Sequence, residues 1–154
     1  MILYLDASAL VKRYIVELGS TETNELIANA QIVGTVTISR AELSAALGKA
    51  VRVGILNNED AWRCLQLFRN EWPDWIRIQV TEEVVYQADK LAWDYNLRGY
   101  DAVHLAAALV WQEAMGSRVT FVTFDRQLWL AAQHTGMLLY PDDLIAMLNE
   151  WRDR

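Results

Sequence analysis

Short apolar runs alternate with longer amphipathic stretches along the whole chain. Ile2-Leu3-Tyr4-Leu5 opens it without a polar interruption, and Ile32-Val33-Gly34-Thr35-Val36 is β-branched and bounded by polar residues. Val119 to Phe124 and Met137 to Tyr140 repeat the pattern. Strands that read as continuous apolar runs belong to parallel sheets covered by helices on both faces. Only Ile76, Ile78 and Val80 alternate with polar partners, Arg77 and Gln79, as a half-exposed edge strand does. The pattern predicts strands over 2–5, 32–37, 76–80, 119–123 and 137–140.

Helical spacing fills the intervals. Residues 39–53 are rich in Ala and Leu and stop at Gly54, a residue suited to ending a helix. Asn58, Glu59 and Asp60 open another helix with acids in its first turn, and Ala61, Leu65, Phe68 and Trp72 keep helical spacing until Pro73. Thr81-Glu82-Glu83 begins one that reaches Tyr95, and further helices are predicted over 101–115, 125–134 and 142–151. Alternating strands and helices predict an α/β protein: a single domain over 1–154, built as a three-layer α/β/α sandwich around a central parallel sheet.

Composition narrows the class. With 154 residues, 53% of them hydrophobic, the chain has the material for a packed core and is not a disordered segment. The lone Cys64 permits no disulfide within the chain, which suits a reducing cytosol. Residues 1–5 start directly as a strand, with no basic leader or cleavage site, so the expected location is cytoplasmic. The longest apolar stretch, from Ala102 to Trp111, is too short to span a membrane. A net charge of -6 argues against a nucleic-acid partner when taken as a total.

The placement of four acids changes that reading. Asp6 and Asp125 each follow an apolar strand, Glu42 lies just past Val36-Thr37-Ile38-Ser39, and Asp101 opens a helical run. In open α/β sheets ligands bind outside the carboxyl ends of the strands. Acids gathered there repel one another unless cations sit among them. Hard, oxygen-seeking ions such as Mg²⁺ or Mn²⁺ suit such donors, and once bound they attract phosphate. Each acid also has a plainer reading. Asp6, Asp101 and Asp125 can be helix caps, with Ser8 able to replace Asp6 in that role, and Glu42 a first-turn acid favouring the helix dipole. Their recurrence at strand ends in one small domain is what singles them out.

The segments that carry these acids resemble the PIN-domain ribonucleases, most closely the VapC-type toxins of toxin–antitoxin pairs. The matching residues are Leu5-Asp6-Ala7-Ser8-Ala9-Leu10-Val11-Lys12, Ser39-Arg40-Ala41-Glu42, Leu97-Arg98-Gly99-Tyr100-Asp101-Ala102-Val103-His104-Leu105-Ala106 and Val122-Thr123-Phe124-Asp125. Their order and spacing span nearly the whole chain. The resemblance implies cleavage of single-stranded or loop RNA with one or two Mg²⁺ or Mn²⁺ ions, held most directly by Asp6 and Asp101 and completed by Glu42 and Asp125. Ser8 and Thr123 are then expected to orient the acids by hydrogen bonding. Lys12 and Arg98 are the candidate contacts to the RNA backbone, against the alternative of ion pairs with the acids themselves.

Other residues receive simpler assignments. His104, three residues after Asp101 on the same helix face, can be read as a ligand or a general base, but reads better as a histidine with its tip turned out of an Ala-rich packing helix and hydrogen-bonded to a neighbour, and His134 as a cation near a helix C-terminus. Trp62, Phe68, Trp72 and Trp75 exceed what a small core obviously needs, which predicts a homodimer and an apolar groove for a small partner. The resemblance makes that partner an antitoxin with a basic amphipathic tail. A dehalogenase-type phosphatase needs a second Asp where Ser8 stands, and a response-regulator receiver needs a Lys beyond Lys90, where none occurs. The remaining alternative is a catalytically inactive PIN-like binding module.

Overall fold

A computed structural model describes all 154 residues. Five parallel strands form one sheet: β1 (Ile2–Leu5), β2 (Ile32–Val36), β3 (Ile76–Ile78), β4 (Thr120–Val122) and β5 (Leu138–Tyr140). Their order is β3-β2-β1-β4-β5. The chain therefore builds outward from β1 on one side, then returns to lay β4 against the other side of β1. The carboxyl ends of β1 and β4 flank the point where the order reverses, the usual position of a ligand crevice in such sheets.

Eight helices cover the sheet: α1 (Ala7–Tyr14), α2 (Ser20–Ala28), α3 (Ser39–Arg52), α4 (Asn58–Glu71), α5 (Glu82–Tyr95), α6 (Gly99–Met115), α7 (Arg126–Gln133) and α8 (Leu144–Arg152). Successive side chains of β1 point to opposite faces. Leu3 and Leu5 enter one core with residues of α1, α3 and α4, while Tyr4 enters the other with residues of α5, α6 and α7. The result is the α/β/α sandwich that the periodicity predicts. No helix is long and apolar enough to cross a membrane.

Two details differ from expectation for identifiable reasons. The helix α2 breaks no apolar rhythm and carries mixed polar residues, so it left no clear sequence signal; Leu26 and Ile27 pack it against the core. The helix α6 starts at Gly99 rather than Asp101, because Arg98 takes the extended backbone of the flanking position. Asp101 thus lies in the first turn rather than at the cap, where its charge still meets the positive end of the helix dipole.

Gly34 positions α6. A Cβ there would lie 2.8 Å from the Trp111 ring, so only glycine lets α6 settle this closely on the sheet. The Trp-rich segment is mainly interior. Phe68, Trp72 and Trp75 are buried in the core beside α1 and α3, and only Trp62 of the group is exposed, which corrects the expectation of an aromatic surface there. Their spacing is helical because α4 turns a single apolar face to the sheet.

The helix α1 is tied to α4 through Glu71, which accepts from Arg13 Nη2 at 2.7 Å and from the Tyr14 hydroxyl at 2.6 Å. Burial pushes the Glu71 carboxyl up, but these hydrogen bonds and the Arg13 charge outweigh it and hold the group below the usual glutamate range. A depressed carboxyl stabilises the fold above its unfolded value, and that contribution disappears as pH falls through the folded one. Glu71→Ala should therefore lower stability by about 2 kcal/mol at neutral pH. Chemical denaturation of both proteins across pH should show the gap closing as pH falls through and below the ordinary glutamate value of about 4.

Candidate active site

Asp6 ends the central strand with its carboxylate almost wholly buried, at 3% exposure. It caps α1 by accepting from Ala9 N at 2.9 Å, so Asp6 itself holds the role for which Ser8 was an alternative. Ser8 Oγ instead lies 2.7 and 2.9 Å from the two oxygens of Asp6 and donates to that carboxylate, while accepting from Phe124 N at 2.8 Å. Thr123 Oγ1, at the end of β4, donates to the other side of Asp6 at 2.6 Å. Burial still pushes the Asp6 carboxyl up, opposed by the neighbouring His104 and the donors Thr123, Ser8 and Ala9 N.

The network continues outward. Asp125 N donates to Thr123 Oγ1 at 3.1 Å, and the Asp125 carboxylate caps α7 through Leu128 N at 2.8 Å. Arg98 bridges two acids: its Nε donates to Asp101 at 2.9 Å and a terminal nitrogen donates to Asp125 at 3.3 Å. Asp6, Asp125 and Asp101 are thereby linked through Thr123 and Arg98.

Glu42 belongs to a separate hydrogen-bonded chain. His104 Nε2 lies 2.7 Å from Glu42 Oε1, and the Tyr4 hydroxyl lies 3.0 Å from His104 Nδ1. A carboxylate only accepts, so a proton sits on Nε2, and the Tyr4 hydroxyl holds the ring at its other nitrogen. His104 is 1% exposed, which corrects the outward-tip reading. It faces inward because it lies on the buried Ala-rich stripe of α6, where an unpaired imidazole would be costly and Tyr4 and Glu42 supply partners. The expected hydrogen bonding of His104 is present, but its partners Tyr4 and Glu42 were missed. The only sequence trace of this pairing is a polar residue at helical spacing from Asp101.

Lys12 is also corrected. Its ammonium donates to Glu17 at 2.8 Å and to the Leu18 carbonyl at 2.7 Å, and it lies over the rings of Phe124 and Trp151. These contacts are interior and fix α8 and the loop after α1, so Lys12 serves the fold rather than a phosphate. His134 stacks on Tyr95 at the end of α7.

A family model described as PIN domain matches residues 3–133. The chain belongs to the PIN domain family. A Mycobacterium tuberculosis protein named ribonuclease VapC45 is 31% identical over 144 residues, covering 93% of this chain and 97% of its own. A Pyrobaculum aerophilum protein named ribonuclease VapC3 is 30% identical, covering 83% of this chain and 92% of its own. A solved toxin–antitoxin complex from Klebsiella pneumoniae has a chain that superposes with a TM-score of 0.59 at 16% identity, covering 81% of this chain and 87% of that one. At that identity the likeness concerns the fold.

In this PIN domain the donor chemistry fits a hard divalent ion, since the four acids offer carboxylate oxygens. The acids are nevertheless held by protein donors, and no three His, Cys, Asp or Glu side chains are grouped as ligands of one ion. Asp6 depends most on its surroundings. Because its folded value is raised, ionising it costs stability as pH rises through that value. Thr123→Val removes one donor and should lower stability by about 1–3 kcal/mol at neutral pH. The loss should shrink in acid, where the carboxyl is protonated and needs fewer donors. Thermal denaturation at several pH values checks this, and a pH-independent loss would contradict it.

Proposed function

We propose that this protein is a divalent-metal-dependent endoribonuclease acting on single-stranded or loop RNA, and the toxin of a toxin–antitoxin pair. The observation that carries the reading is the hydrogen-bonded chain that runs from Asp6 through Thr123, Asp125 and Arg98 to Asp101 where β1 and β4 end, with a separate chain of Glu42, His104 and Tyr4 beside it. The names of the relatives in this PIN family support the reaction class. Asp6 and Asp101 would hold one or two Mg²⁺ or Mn²⁺ ions most directly, with Glu42 and Asp125 completing the set directly or through water. When bound, such ions make water more acidic and stabilise the departing oxygen.

The remaining steps belong to the chain. Ser8 and Thr123 fix the Asp6 carboxylate against rotation. His104 does the same for Glu42, anchored in turn by Tyr4. Arg98, exposed at the rim, would draw a phosphate toward the acids. An inactive PIN-like module is the weaker reading, because all four acids are present.

Partners follow from the surface. An apolar groove between α3 and α4, lined by Leu47, Val51, Ala61, Trp62 and Leu65, suits an amphipathic antitoxin tail. An arginine on such a tail could pair with the acids bidentately and compete with metal. Val85 and Tyr100 are exposed beside Ala88, Ala92 and Val103 in an apolar groove between α5 and α6, which would serve a homodimer.

Cleavage of a single-stranded RNA should require Mg²⁺ or Mn²⁺ and stop with chelator. Asp6→Asn and Asp101→Asn should each lower it at least about a hundredfold while keeping the circular-dichroism spectrum. Full activity in either variant, with contaminating nuclease excluded, would remove the ligand assignment. Expression alone should harm the host, and co-expression with an adjacently encoded antitoxin should yield a harmless, co-purifying complex. Light scattering at micromolar concentration should give a dimer mass for the free protein, and a monomer mass would count against the α5–α6 face.

A further inference from the structure

The guanidinium of Arg98 lies between two carboxylates, where a cation would otherwise be needed. We infer that Arg98 is an internal counter-cation: it holds Asp101 and Asp125 while the site is free, yields them to a divalent ion, and then turns to an RNA phosphate. This rests on the proposed metal-dependent reading.

The geometry sets Arg98 apart from the other cations. It reaches both acids at once, through Nε to Asp101 Oδ2 at 2.9 Å and a terminal nitrogen to Asp125 Oδ2 at 3.3 Å. It is the only hydrogen-bond partner of the Asp101 side chain and the only ion-pair partner of either acid. The acids are largely covered, at 19% and 27% side-chain exposure, whereas Arg98 is 75% exposed. Its arm therefore lies across the mouth of the site from the solvent side. Asp6 and Glu42 need no such cation, since Ser8, Thr123 and Ala9 N serve the first and His104 serves the second.

The same placement makes the contact reversible. Arg98 precedes α6 with extended backbone and makes no side-chain cap, so its side chain can swing away without unwinding the helix. Exposed ion pairs hold weakly and are screened by salt. An ion carrying two charges attracts the two carboxylates more strongly than one exposed guanidinium does. The released guanidinium stays tethered at the rim, and its planar fork matches phosphate oxygens.

Two effects of opposite sign follow. Without Arg98 the acids lose their competitor, so the metal should bind more tightly. The RNA loses a contact, so it should bind less well. A purely structural arginine would weaken both or neither.

The test is calorimetric titration of the full-length protein with Mn²⁺ at low ionic strength, with the melting temperature of each variant as a check on folding. R98Q should bind Mn²⁺ about three- to tenfold more tightly than the parent, and R98K, which keeps the charge, should stay closer to the parent. At saturating Mn²⁺, R98Q should raise KM for a single-stranded RNA oligonucleotide severalfold with a smaller change in kcat. Unchanged or weaker Mn²⁺ binding by R98Q overturns the inference, and so does an unchanged KM. D101N separates the two levels. If D101N abolishes Mn²⁺ binding while R98Q leaves it at the parent value, the metal reading stands and the role of Arg98 falls. If neither the parent nor R98Q binds Mn²⁺, both fall. Binding by R98Q where the parent shows none supports the competition.

Discussion

A carboxylate buried at the end of the central strand sets the terms for the rest of this molecule. Asp6 is almost completely withdrawn from water, and a buried anion is tolerated only with donors around it. Two elements converge to supply them: the first turn of α1 through Ala9 N and Ser8, and the end of β4 through Thr123. The Asp6 donors thus also join β1 to β4 across the reversal point of the sheet. Cap, strand pairing and site are one set of hydrogen bonds, and none can be altered without disturbing the others.

The neighbouring acids are covered to similar degrees, but their partners lie at different depths. Glu42 meets a buried imidazole, whose other nitrogen is anchored by Tyr4 from the same strand as Asp6. Asp101 and Asp125 meet a solvent-exposed guanidinium. The inner pairings are rigid because they are enclosed, and the outer one is exchangeable because water competes for it. Under the proposed function, a site that admits a cation and a polyanion benefits from that gradient. Its fixed members keep their orientation while its outer members change partners.

Much of the surrounding architecture serves to hold these few groups in place. Gly34 lets Trp111 approach the sheet, which seats α6 and with it Asp101 and His104. Glu71 fastens α1 to α4 through Arg13 and Tyr14. Lys12, buried among Glu17, Leu18, Phe124 and Trp151, secures the C-terminal helix beside the segment that carries Asp125. Phe68, Trp72 and Trp75 fill the core on the α1–α3–α4 face rather than forming a surface.

The sequence by itself determined the strands, most of the helices and the layered α/β class, because buried parallel strands leave unbroken apolar runs that no other placement tolerates. It also marked the four acids, since each stands where such a run or its following helix turns polar. The helix α2 was not legible, having no dominant apolar stripe. Only the tertiary structure decided which polar side chains face one another. Lys12 and Arg98 look alike as cations beside an acidic motif, yet one is enclosed by aromatic rings and the other spans two carboxylates in solvent. His104 and Glu42 lie 62 positions apart along the chain, and nothing local pairs them. Periodicity records how each segment meets the core as a whole. The partner of a single buried polar group is chosen by packing between segments, and that choice exists only once the layers have closed.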